Sequence, residues 1–405
     1  MLVGIDVGTT KVCALIGEFN RDGSLTIVGK GAVPSTGIKR GLVNNIEQTV
    51  HSIGEAIEHA ERLSGYKIDR AFVGVAGQQV ESQNSRGAVA VSGHSREVSR
   101  EDINRATEVA RAISIPSNRE VLHVIPRGFI VDGQEGVKDP LGMSAIRLEI
   151  ETHIVTGSAT AVQNLRKCVE AAGVKIDELV VSALASGETV VSETERDLGV
   201  AVADMGAGTI DLALFVDGSP FHTAVLPVGG ANVTNDVAIG LKTSLQVAEE
   251  LKVRHGTCDL GSLDDDETIS VSVLGEPAGR SVSRLDVCRI IEARMRETFE
   301  LLKAEMDNAG RGMLPAGLVL TGGAAQLAGA AELGREVLEM PVRVAAPSNV
   351  GGLVDNLLTP AYSTSIGLLL WGARRVVAEE PARYESAPAL GGLGRLRDAL
   401  RSLFP

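Results

Sequence analysis

Residues 202–214 read VADMGAGTIDLAL. An apolar run enters an aspartate, crosses several small residues and resumes as an apolar run. Residues 3–16, VGIDVGTTKVCALI, follow the same pattern. Each stretch reads as a strand, a tight turn and a second strand, with the aspartate at the end of the first. Glycine, alanine and threonine in such a turn let backbone N–H groups converge on a phosphate, because no bulky Cβ blocks the approach. The carboxylate at the strand end can hold Mg2+ through its waters. One Asp-x-Gly after a strand is most often only a turn. Two of them, Asp6-Val7-Gly8 and Asp204-Met205-Gly206, lie about two hundred residues apart, too far for a solenoid and suited to a duplicated α/β half. A third stretch, VLTGGAAQLAG at 319–329, runs a strand into Gly322-Gly323 and a helix start, where an adenine or ribose can lie against the backbone. Together the three predict a nucleotide between two lobes. Each hairpin grips the β- and γ-phosphates from its own side, and Lys11 adds a point charge.

A chain of 405 residues is too long for one ordinary core. With 3% aromatic residues its interior must be aliphatic. A formal charge of −13 argues against nucleic acid as a partner and means the body is repelled by anionic membranes. The four cysteines are widely separated and form no CxxC pair, which suits buried thiols in a reducing compartment. Residues 1–7 read as a strand rather than a secretory signal, and the apolar run SIGLLLWG is too short to span a bilayer. The expectation is a cytoplasmic protein.

Strand and helix patterns alternate along the chain. Residues 45–64 carry Val50, Ile53, Ile57 and Leu63 at helical spacing, with Asn44 or Asn45 as cap. From Ser82 the texture becomes Ser/Arg/Gly-rich, so 82–159 reads as an inserted α+β subdomain. Helices are expected at 101–113, 160–172, 186–194 and 362–380. The expected organisation assigns 1–81, 160–196 and 356–380 to lobe 1, and 197–234 and 312–355 to lobe 2. Residues 235–311 form a helical subdomain, 381–389 a Pro/Ala/Ser-rich linker and 390–405 a terminal helix.

The three motifs, in this order, resemble the phosphate-1, phosphate-2 and adenosine signatures of the actin–Hsp70–sugar kinase ATPase superfamily. Within it the chain is similar to the FtsA family of actin-like bacterial cell-division proteins, through AEELKVRHG (248–256), APSNVGGL (346–353) and YSTSIGLLL (362–370). The resemblance implies an actin-like, ribonuclease H-like duplicated fold. It implies a first phosphate clamp of Asp6, Gly8, Thr9, Thr10 and Lys11, and a second of Asp204, Gly206, Ala207, Gly208 and Thr209. Gly229 and Gly230 would approach the ribose. Glu249 and Lys252 would bracket adenosine, and Gly322, Gly323 and Ala324 would complete the site, with ATP and Mg2+ as cofactors. Ala207 stands where glycine is usual, which weakens phosphate contact if that position needs positive φ. Ser186 and Glu188 are the candidates for orienting an attacking water, and the expectation is tight binding with slow or negligible turnover. Implied partners are the FtsZ C-terminal tail, further copies of the chain in a head-to-tail filament, and later membrane proteins of the division machinery. A small-molecule kinase, an Hsp70-like chaperone and an actin-like pilus-assembly protein are the rival readings.

The last residues, ALGGLGRLRDALRSLFP, place Leu393, Leu396, Leu400, Leu403 and Phe404 on one helical face. Arg395, Arg401, Asp398 and Ser402 lie opposite, and Arg397 lies at the flank, where a long side chain can snorkel. A basic amphipathic helix behind a flexible tether reads as an in-plane anchor to an anionic membrane surface. Five apolar side chains at about 1–2 kcal/mol each outweigh about 1 kcal/mol per net tail charge. Ordering the tail offsets part of that gain, so one tail attaches reversibly and an array attaches firmly.

Overall fold

The computed structural model describes residues 1–20, 24–77, 79–92, 96–264, 266–273 and 279–383, without the side chains of 377–383. The expected terminal helix 390–405, with Leu393, Arg395, Leu396, Arg397, Leu400, Arg401, Leu403 and Phe404, lies outside the described residues, as does most of the linker.

Two sheets repeat one topology. In the first, strand Leu2–Val7 pairs antiparallel with Lys11–Phe19, which pairs antiparallel with Leu25–Pro34. On its other side it pairs parallel with Arg70–Val75, which pairs parallel with Lys175–Val181. The second sheet repeats this with Val200–Met205 at the centre. Ile210–Val216 and Ser219–Leu226 continue the antiparallel meander, and Leu318–Thr321 and Val342–Val344 lie parallel on the far side. Parallel strands need long crossovers, and helices supply them. Helix Ile46–Ser64 starts at Asn45, whose side chain accepts from Gln48 N–H. The buried residues are overwhelmingly Val, Ile, Leu and Ala, in two large clusters, the first of which runs from the first sheet onto Val200, Val202, Ala213, Phe215 and Val319 of the second.

Two helices cross between the lobes. Sequence spacing places one helix at 186–194; the structure has Ser182–Val190 and a second helix, Glu193–Leu198. The break follows from Ser192 and Glu195, which form a reciprocal capping box and start a new helix. The earlier start follows from packing of small residues against helix Ser363–Arg383, where a Cβ on Gly367 would stand 1.8 Å from the Ala185 carbonyl oxygen. Helix Ser363–Arg383 buries Ile366, Leu368 and Leu369 in the core and runs past Pro381, beyond the expected end at 380.

An inserted four-stranded sheet, ordered Glu81–Ala90, Arg147–Ser158, Arg119–Val131, Gln134–Val137, packs on helix Arg100–Arg111 around its own small core. It docks on the edge strand Ser219–Leu226 of the second lobe. Ser82 Oγ accepts from the Thr223 N–H at 2.9 Å and donates to the Thr223 carbonyl at 2.8 Å. Asn84 Nδ2 donates to Phe221 O at 2.9 Å, which leaves Asn84 Oδ1 as an acceptor for His153 Nδ1 at 2.8 Å. His153 Nε2 then accepts from Thr223 Oγ1 at 2.9 Å.

His153 is fully buried and must stay neutral in this joint. Burial first, then the charges of His222, Arg127 and His123, lower its pKa from 6.5 to about 3. The unfolded chain therefore binds the extra proton, so this stability is complete above pH 6.5 and is lost as pH falls toward 3. By pH 5 the loss is about 2 kcal/mol. Urea titrations from pH 7.5 to 5 should show this decline, and His153→Gln should flatten it. Identical slopes in the two proteins would refute the assignment.

Candidate functional site

A cavity of about 1030 Å³ opens between the lobes. Asp6, Gly8, Thr9, Thr10 and Lys11 line it from the first hairpin, and Asp204, Gly206, Ala207, Gly208 and Thr209 from the second. Gly230, Glu249, Lys252, Gly322, Gly323 and Ala324 also line it. Gly229 does not line it. It precedes helix Gly230–Leu241, and a Cβ there would stand 2.6 Å from the carbonyl oxygens of Gly206 and Ala207. The first amides of that helix, Gly230 and Ala231, donate to Gly206 O and Ala207 O at 3.0 and 2.8 Å. This turn supports the loop of the second hairpin from behind instead of lining the cavity. The expected approach of Gly229 to the sugar is therefore corrected.

The loop glycines are required for space. Ala207 is not among the residues with positive φ, so alanine fits there without strain. A Cβ on Gly208 would lie 2.7 Å from Thr9 Oγ1 and 3.0 Å from Arg40 Cα, across the cleft mouth. Gly322 differs: its φ is +87°, and a Cβ would lie 2.4 Å from Asp204 Oδ1. Only glycine satisfies both demands. The motif it opens continues as a 3-10 turn, Gly323–Gln326, before helix Ala330–Leu338.

Helix Leu245–His255 settles its own register, because Glu249 and Lys252 face the cavity and Glu250 does not. Lys252 Nζ lies 2.7 Å from Glu249, and both bond to Thr234 Oγ1. Lys11 Nζ donates to Ala361 O at 2.5 Å and stands 3.5 Å above the centre of the Tyr362 ring. Its charge thus sits at the cavity wall with a carbonyl and a ring already in contact.

Three carboxyl groups converge at the base. Burial raises the pKa of Asp6, against the opposing pull of Lys11 and Ser365. Burial, followed by the charge of Asp6, raises Asp204 to about 6 despite a hydrogen bond from Thr364 and the charge of Lys11. Asp211 is raised well above its ordinary value by burial and then by Asp204. Its Oδ1 is buried without a hydrogen-bond partner. Asp211 is a site residue that the hairpin motif alone does not mark, yet the sequence holds a signal for it. Asp204 pairs with Asp211 across the second hairpin as Asp6 pairs with Cys13 across the first, each seven positions on. In a hairpin of known turn length that offset places the two side by side.

These acids fit a divalent cation: a positive charge relieves both the desolvation and the mutual repulsion. Among the described residues no three carboxylate, imidazole or thiol groups form a direct metal cage. A magnesium ion here would keep waters and take phosphate oxygens, as that ion prefers. Ser186 and Glu188 do not line the cavity. Ser186 Oγ donates within its own helix to Ala183 O, and buried Glu188 pairs with Arg196 and Arg374 at 3.3 and 2.7 Å. Glu188 instead ties the two crossing helices to the start of the second lobe.

The cell division protein FtsA of Pseudomonas aeruginosa is 45% identical to this chain over 377 residues, which cover 93% of this chain and 90% of that protein. The chain belongs to the FtsA family of cell division proteins. The Escherichia coli FtsA is 38% identical over 381 residues, covering 92% of this chain and 90% of its own length. The family model for cell division protein FtsA matches residues 201–367, and that for the SHS2 domain inserted in FtsA matches 77–156.

Solved structures show the actin-like fold. The PilM–PilN type IV pilus biogenesis complex aligns with TM-score 0.67 and 17% identity over 92% of this chain and 98% of that one. MreB5 of Spiroplasma citri bound to ADP aligns with TM-score 0.54 and 13% identity over 95% of this chain and 98% of that one. The rival reading as a pilus-assembly protein shares only the fold at such identities, whereas FtsA proteins share the sequence. Among the described residues no helix is long and apolar enough to cross a membrane.

Proposed function

We propose that this FtsA-family protein binds ATP with Mg2+ in the interlobe cavity, polymerises head to tail in its closed form, and attaches the polymer to an anionic membrane through residues 390–405. The single observation that carries the reading is the pair of aspartate-tipped hairpins meeting at one cavity, with three buried carboxyl groups at its base. Asp6 and Asp204 would hold the ion through water. Lys11 and the loop amides would hold phosphate oxygens. Glu249, Lys252, Gly322, Gly323 and Ala324 would hold the nucleoside. When bound, magnesium supplies positive charge against the phosphates. The proposal includes slow turnover, with Ser186 bonded within its own helix and Glu188 engaged by Arg196 and Arg374.

The family's place in cell division supports two further roles: tethering the FtsZ ring through its C-terminal tail, and recruiting later membrane proteins of the division machinery at the cytoplasmic face of the division site. By the same family analogy, residues 235–311 receive that tail and the inserted sheet contacts the neighbouring subunit. The apolar face of the tail drives membrane attachment, and many tails in one filament raise it through effective concentration. Sedimentation with anionic liposomes tests this. The full chain should pellet, more completely with ATP than without, and a chain ending at residue 389 should stay in the supernatant while still binding ATP. Pelleting of the truncated chain would exclude the anchor.

A further inference from the structure

The first turn of helix Ser363–Arg383 reaches the acids of both lobes. Thr364 Oγ1 donates to Asp204 Oδ2, and Ser365 Oγ donates to Asp6 Oδ2 at 3.0 Å. Ser363 Oγ shares a 2.6 Å hydrogen bond with Thr321 Oγ1, at the end of the strand beside Asp204. All three hydroxyl residues are buried. An ordinary helix cap uses its hydroxyl to accept a backbone N–H. Here the hydroxyls of Thr364 and Ser365 donate instead, and to two carboxylates more than one hundred and fifty positions away in the chain. Adjacent residues of a helix project about 100° apart, which is how one turn addresses two lobes. The helix N-terminus adds partial positive charge on the same side.

A carboxylate turns about its terminal torsion with little preference, so a fixed partner on one oxygen decides where the other points. Among the described residues, the remaining oxygens, Asp6 Oδ1 and Asp204 Oδ1, receive no hydrogen bond. Asp204 Oδ1 abuts the Cα face of Gly322, and Asp6 Oδ1 that of Gly74. Building on the nucleotide reading above, we propose that Thr364 and Ser365 are positioning residues. They lock Asp204 and Asp6 so that one oxygen of each stays available to the waters of a divalent cation, and the helix end thereby sets how strongly nucleotide binding depends on magnesium.

The test is calorimetric titration of ADP into the full-length protein, in magnesium and in EDTA. The readout is the ratio of the two affinities. The Thr364→Val, Ser365→Ala double variant keeps volume and should lower that ratio about tenfold or more, with little change in EDTA. Thr364→Ser should restore most of it beside an intact Ser365, since it keeps the donor. Ser365→Ala alone removes one oxygen without adding bulk, and it should give a smaller fall even if the valine variant does not fold. A ratio unchanged from the unsubstituted protein in the alanine variant overturns the positioning role only. No heat from the unsubstituted protein in either buffer overturns the nucleotide reading and this inference with it.

Discussion

Asp204→Asn should melt at a higher temperature than the unsubstituted protein when both lack nucleotide, and should lose the magnesium-dependent part of nucleotide binding. The two effects have one cause. Asp204 is buried beside Asp6 and Asp211, and its pKa rises from 3.8 to about 6. The folded state therefore binds the proton more tightly than the unfolded state. The contribution of this one carboxyl is most favourable below pH 3.8 and declines as pH rises through 6, by about 3 kcal/mol at neutral pH. A neutral amide can still accept from Thr364, so about 1–3 kcal/mol of that loss should return, which for a chain of this size means a few degrees. The same charge that burdens the apo protein attracts the ion. Removing it should cost several kcal/mol of metal-assisted binding, so that the affinities in magnesium and in EDTA become similar. Loss of melting temperature together with an unchanged magnesium effect would sink the paired-acid reading. That outcome would leave the fold and family untouched.

Gly367→Ala should destabilise the protein by about 3 kcal/mol, whereas Gly54→Ala should stabilise it by about 1 kcal/mol. Both glycines lie inside helices, where alanine is intrinsically favoured by about 1 kcal/mol. Space decides the opposite signs. A Cβ at Gly54 meets nothing within 4 Å. At Gly367 it would lie 1.8 Å from Ala185 O and 2.4 Å from Ala185 C, both backbone atoms of the other crossing helix. The two helices must separate, and overpacking of that kind costs more than propensity returns. Because helix Ser363–Arg383 also carries Thr364 and Ser365, the displacement should weaken ADP binding as well. Chemical denaturation of the two variants, with ADP titrations alongside, checks signs and coupling together. Equal effects from the two substitutions would mean that the helix crossing tolerates a wider spacing than its backbone geometry indicates.

Local chemistry made a large part of this molecule legible from its sequence. An apolar run, an aspartate and a small-residue turn are enough to specify each hairpin, since strand alternation and turn preference act within about ten residues. Their repetition around Asp6 and Asp204 signalled the duplicated topology, and Gly322-Gly323 marked the third wall of the cavity. The start of the first helix was readable to within one residue, Asn44 or Asn45, for the same reason. The break at Ser192 was readable in principle, because Ser192 and Glu195 form a local pair, but helical spacing through 186–194 masked it.

What only the tertiary structure decided involves partners remote in the chain. Gly229 faces the back of the second loop because helix Gly230–Leu241 folds under Gly206 and Ala207. Glu188 is buried because Arg196 and Arg374 arrive from two other helices. His153 joins the inserted sheet to a strand that begins 66 residues later, at Ser219. Thr364 and Ser365 meet Asp204 and Asp6 across separations of 160 and 359 residues. Pattern and propensity act over about ten residues, so they carry no information about partners that only the packing of different elements brings together. The sequence alone thus determined which loops are able to hold a phosphate. The three-dimensional arrangement determined which acids share one electrostatic environment, and which helix end holds them in place.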